Sequence, residues 1–146
     1  MEHYLLVRIL HSAPGILLVL GLIAHTVMLW KAQRNGDAAV LARKLRVTLF
    51  YSLPTFAVLA LTLPLTGFWL VKTVGWPLGQ TWLLLGSILY GVLMLIGLLL
   101  AGRLAAWRAL GDTPAPVALK RLSLIYAGLI LVLLIAIMAL MGAKPV

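Results

Sequence analysis

The sequence predicts an all-α integral membrane protein, a four-helix antiparallel bundle with both termini outside. Three observations predict it. Four long apolar stretches fill most of the 146 residues, of which 64% are hydrophobic and 10% charged, for a mean hydropathy of +1.13. Short basic or Gly/Pro-containing connections separate them. Lys and Arg are spread unevenly over those connections. A domain in water could not carry this much apolar surface, because its outside would be apolar as well. Hydrocarbon removes the conflict, and crossing ~30 Å of it takes roughly 20 helical residues. Four spans and their connections account for residues 1–146 as a single membrane domain.

The first span covers residues 4–30 and contains Pro14-Gly15, where its hydrogen-bond ladder should loosen. Its length, and Arg8 within it, fit a span rather than a cleaved signal peptide. The connection 31–46 is polar. Asn35-Gly36-Asp37 marks a turn with a helix cap, and residues 38–46 read as a short interfacial helix leading into the next span. The second span, 47–71, is interrupted by Pro54 and Pro64, with Thr55, Thr62 and Thr66 placed to bond the carbonyls they free. Residues 72–80 form a tight link broken by Gly75, Pro77 and Gly79, with Trp69, Trp76 and Trp82 around it as an interfacial aromatic belt. The third span is 81–101. After the connection 102–120, with Pro114 and Pro116, comes the fourth span at 121–142.

The first connection holds Lys31, Arg34, Arg43, Lys44 and Arg46; the third holds Arg103, Arg108 and Lys120, with Arg121 at the helix edge; only Lys72 flanks the second. Positive-inside counting therefore puts the first and third connections in the cytoplasm and both termini outside. The net charge of +9 follows the same distribution, so the partner it implies is the anionic lipid surface of the bilayer and not nucleic acid.

Candidate chemistry centres on the first helix. Arg8, His11, Gly15, Leu18, Leu22, His25 and Leu29 recur at alternating spacings of three and four, which keeps them on one stripe. Ionisable groups inside a membrane face the bundle, so this stripe reads as the interior face, with Gly15 allowing close approach. Imidazole is a common axial ligand of haem iron. His11 and His25 lie ~21 Å apart along the helix and cannot share one iron. They define two polar layers. At the depth of His11 the other helices offer Thr62 and Pro64, Ser87 and Tyr90, and Met138, a second type of axial ligand. At the depth of His25 they offer Tyr51, Ser52, Thr55 and Tyr126. Arg8 could pair with a haem propionate or an anionic headgroup. The competing reading is structural: histidines that tie helices together, and an arginine that snorkels.

Other chemistries lack their parts. The chain has no Cys, which excludes disulfides, thiolate nucleophiles and Cys-ligated metals. No Asp or Glu lies within a span, no serine has a His and an Asp in reach, and no phosphate loop occurs.

Leu10-His11 early in the first helix, Gly36-Asp37 in the first connection, Leu65-Thr66-Gly67 in the second helix and Trp82-Leu83 opening the third occur in an order and spacing that resemble a bacterial family of four-helix integral membrane proteins of unknown function. The resemblance covers nearly the whole chain. The layout is also similar to the HemJ-type protoporphyrinogen oxidases, small four-helix membrane proteins with a haem-ligating His in the first helix. That similarity implies haem at His11. It does not carry the oxidase activity, because the arginine and tyrosine-histidine segment that usually follows the first helix in that group is not found after Trp30. His25 maps onto neither family.

The expected function is a haem b-binding redox or haem-handling protein with His11 as ligand, joined by His25, Arg8 and Met138 as cofactor-site residues, exchanging electrons with a quinol or a protein partner. The alternative is a cofactor-free structural or assembly subunit of a respiratory complex. A small channel or metal transporter is disfavoured by the missing intramembrane carboxylates. Small-residue faces suggest a homodimer or membership of a larger membrane complex.

Overall fold

The computed structural model describes residues 2–143, so the tail after the fourth span lies outside it. It is all-helical, with no strand among the described residues. Helix α1 is Glu2–Asn35, α2 Ala38–Val47, α3 Leu53–Val74, α4 Thr81–Ala109 and α5 Val117–Ala143. A π-helical turn, Thr48–Ser52, joins α2 to α3 without a break. Among the described residues four helices, counting Ala38–Val74 as one, are long and apolar enough to cross a membrane. Each outruns its expected span. The helices continue into the polar connections, where α4 gains another two turns through Arg103 and Arg108.

The junctions form for local reasons. Gly36 takes a left-handed φ of 73°, ending α1, and the Asp37 carboxylate then accepts from the amides of Ala39 and Val40 at 3.0 and 3.3 Å. That caps α2, as its sequence suggests. Gly75, at φ 81°, ends α3 with its own amide and that of Trp76 returning to the Val71 carbonyl.

The prolines do not interrupt the second span. In an α-helix Pro54 would collide with the carbonyl of Phe50. The π-turn directly before it, in which the Leu53 amide reaches back to the Thr48 carbonyl, widens the backbone there. Pro64 sits inside α3 and, having no N–H, leaves the Ala60 carbonyl without its helical donor. The threonines do not repair this. Thr55, Thr62 and Thr66 donate to Tyr51, Leu59 and Thr62 (with a longer contact to Leu63). The donor is instead the Tyr90 hydroxyl, from α4, which bonds the Ala60 carbonyl.

Helix α1 packs on α3 and α5, α4 packs on α5, and Tyr90 ties α4 to α3, which closes a ring of four. The core is narrow: Leu18, Leu45, Leu93, Leu104, Ile130 and Leu134 are buried, while Leu65 and Leu98 are 73% and 71% exposed on the outside. Such an outer face needs hydrocarbon around it. Tight contacts rather than apolar burial must hold helices together there, and glycine creates three of them. A Cβ on Gly21 would stand 2.5 Å from Phe56, one on Gly67 3.0 Å from His11, and one on Gly86 2.7 Å from Met141. Gly15, expected to make the close approach, is buried but has nothing within 4 Å of where a Cβ would be. Gly91 and Gly97, which are not buried, likewise have nothing within 4 Å of a Cβ position.

Candidate functional site

The two histidines of α1 occupy different surroundings. His11 is half-buried against α3, its Nδ1 lying 2.9 Å from the Thr66 hydroxyl, with Gly67 making room for the ring. The single hydroxyl proton of Thr66 is already donated to the Thr62 carbonyl at 2.7 Å. His11 must therefore donate from Nδ1, and Nε2 carries the lone pair. The hydrogen-bond geometry thus fixes the tautomer that a metal ligand or a proton acceptor needs. The expected partners at this depth were Thr62 and Pro64; the observed one is a helical turn further along.

His25 stands at the other end of α1. Its Nδ1 lies 3.2 Å from the Thr48 hydroxyl, and its ring meets the edge of Phe56 with centroids 5.6 Å apart. Thr48 is buried and belongs to the π-turn. Tyr51, placed in this layer by its sequence depth, is 65% exposed, and Thr55 is exposed too. The π-turn is the reason. It fits more residues into one turn than an α-helix does, so positions within it, such as Tyr51, and after it, such as Thr55, are rotated from the faces that α-helical counting gives.

His25 opens on a cavity of about 400 Å³ walled by all the spans. Leu22, Leu53, Leu100, Leu104 and Ala127 make its sides apolar. Polar groups gather at one end, where Gln33 of α1 and Lys120 and Arg121 of α5 join the rim. Trp30 and Trp107 also line it. An apolar chamber with a few convergent polar groups is the general form of a small-molecule site. Here one imidazole sits in the wall and two cations at the mouth, suited to a ligand with an apolar body and an acidic end.

The remaining candidates are Arg8 and Met138. Arg8 is exposed, its carbonyl accepting from the Ser12 hydroxyl at 2.9 Å. Met138 is 43% exposed on α5. No group of three or more His, Cys, Asp or Glu side chains is placed to hold a metal ion among the described residues.

Sequence reasoning missed Thr48, Phe56, Lys120 and Arg121 as parts of one site. Lys120 and Arg121 read as topology signals, although their position at the start of the last span is the depth assigned to His25. Thr48 carried no signal, because only the π-turn aims it at His25.

The four motifs that carry the family resemblance all fall at junctions. Leu10-His11 meets Thr66-Gly67 across α1 and α3. Gly36-Asp37 ends one helix and caps the next. Trp82 is buried at the start of α4, edge-on to Trp76 at 5.3 Å. No curated protein and no solved structure matches the chain. The pattern of a family described as "Predicted integral membrane protein (DUF2269)" matches residues 5–145, and on that match the chain, a multi-pass membrane protein, belongs to this family.

Proposed function

We propose that the protein is a small inner-membrane protein that holds an amphipathic, acid-bearing ligand in the cavity beside His25, with haem b as the occupant and a redox or haem-handling role. One observation carries this reading. His25 has Nδ1 committed to Thr48 and faces an apolar chamber whose mouth bears Lys120 and Arg121. The residues fit the group: an imidazole nitrogen for the iron, apolar walls for the macrocycle and two cations for its propionates. Haem supplies one-electron chemistry when bound, with a quinol or a protein partner exchanging the electron. This chain contributes the ligand nitrogen, the charge at the mouth and the exclusion of water. His11 is the competing ligand; it lies against Thr66 and Gly67 instead of in this cavity.

The visible spectrum of the purified protein, oxidised and then reduced with dithionite, tests this. A Soret band with a sharp alpha band should be lost in His25→Ala and kept in His11→Ala. The reverse dependence moves the haem to His11. A colourless protein after expression with added haem precursor ends the haem reading.

The same proposal includes the topology. As residue numbers rise along α1 they fall along the helix it meets, with His11 at Thr66 and His25 at Thr48. Tyr90 meets Ala60 and Arg108 stacks on Phe50, giving α4 the same relation. These pairings support an antiparallel bundle with the basic connections at one end, in the cytoplasm, and both termini in the periplasm.

The second reading, a cofactor-free subunit of a homodimer or larger complex, is favoured by α4. Its Ser87, Gly91 and Gly102 are exposed, and nothing lies near the Cβ position of either glycine. Co-purification of a membrane complex in fixed ratio with a colourless protein would support it.

A further inference from the structure

A second recess, of about 440 Å³, lies apart from the His25 cavity and is lined by Arg46, Phe50, Tyr51 and Arg108. Arg46 comes from the last turn of α2 and Arg108 from the last turn of α4, so two guanidinium groups from distant parts of the chain converge on one space. No acidic residue lines it. The chain has few to spare: Glu2, Asp37 and Asp112 are the acids among the described residues, and Asp37 is engaged in capping α2. Arg108 does not swing freely, because its guanidinium carbon stacks 4.7 Å from the centre of the Phe50 ring. Stacking covers one face of the group and leaves its N–H edge for a ligand. Two like charges lining one recess without a carboxylate repel each other, and an anion between them replaces that repulsion with attraction to both.

We propose that this recess is a binding site for a phosphate group, held by the forks of Arg46 and Arg108 with the Tyr51 hydroxyl as a further donor. Planar guanidinium groups match phosphate through paired hydrogen bonds. The site sits at the basic end of the bundle, beside the exposed apolar surface of Val47 and Phe50. A phospholipid headgroup whose acyl chains run along that surface satisfies both features. Inorganic phosphate shares the headgroup chemistry but uses only the first.

Thermal unfolding in detergent, titrated separately with phosphatidylglycerol, phosphatidylcholine and inorganic phosphate, tests the site. Phosphatidylcholine, whose choline cation offsets the charge of the same phosphodiester, should raise the midpoint less than phosphatidylglycerol. The apparent affinity for phosphatidylglycerol should fall about tenfold or more in Arg46→Gln/Arg108→Gln, as expected for lost charge-assisted hydrogen bonds. Arg108→Lys keeps the charge but not the fork, so it should lose most of the same response and guards against a double variant that folds poorly. Arg43→Gln/Lys44→Gln removes as much charge outside the recess and should respond like the wild type. An equal loss in that control, or a wild-type response in Arg46→Gln/Arg108→Gln, would overturn the site in favour of diffuse surface attraction. Stabilisation by inorganic phosphate with the same variant dependence would confirm the anion site and make the free ion its ligand.

Discussion

At the scale of single residues, the position of one proton organises the contact between α1 and α3. Thr66 spends its hydroxyl hydrogen on the Thr62 carbonyl and can only accept from His11. Thr66→Val removes that acceptor and leaves a half-buried imidazole N–H unpaired, a loss of about 1–3 kcal/mol. Thr66→Ser retains the acceptor and should keep most of the stability. Unfolding midpoints of the two variants in detergent check this, and equal midpoints would contradict it. Gly67→Ala should also destabilise, because its Cβ would press to 3.0 Å from the His11 ring. That His11 faces a helix was legible in the sequence, from the three-and-four spacing and the cost of a polar group in lipid. The identity of its partner was not. A depth ruler counts residues from an assumed span edge, and α1 begins earlier and ends later than that edge. Arg8 shows the same limit: it keeps the periodicity of the stripe, yet it is exposed, because near a helix end water and headgroups relieve the cost that forces deeper charges inward.

At the scale of elements, one proline and one tyrosine act as a pair. Pro64 leaves the Ala60 carbonyl without a helical donor, and Tyr90 supplies one from another helix. Tyr90→Phe should cost about 1–3 kcal/mol, the expense of a buried acceptor left alone. Pro64→Ala restores an N–H to the ladder, so the same tyrosine change made in that background should cost little. The coupling in this double-mutant cycle, read from unfolding midpoints, is the test, and additive effects would rule the pairing out. Asp37→Ala should fray α2 by about 1 kcal/mol, seen as faster amide exchange at residues 39–41. The sequence showed both prolines and the cap. It could not show that the two prolines are accommodated differently, Pro54 by a local π-turn and Pro64 by a distant side chain, since the second depends on which helix lies opposite.

At the scale of the whole molecule, the number of helices and their order were readable because hydropathy over some 20 residues is a strong signal in so apolar a chain. The cavity was not readable. Its wall takes side chains from every span, and its polar mouth combines Gln33 with Lys120 and Arg121, residues far apart in sequence. Reporter fusions in the link 75–80 should read as periplasmic, and fusions at residues 36 and 112 as cytoplasmic. Opposite readings for 36 and 112 would dismantle the proposed topology and put the cations at the cavity mouth on the wrong side for a positive-inside arrangement.

The bond from Tyr90 to the Ala60 carbonyl also constrains how this sequence can drift. A lineage that first replaces Pro64 regains the backbone donor, after which the phenol becomes dispensable. A lineage that first loses the phenol must tolerate a bare oxygen facing hydrocarbon until the ring is gone. Of the two routes out of the pairing, only one avoids a stage with an unpaired carbonyl, so descendants that kept the proline but abandoned the tyrosine should be scarce.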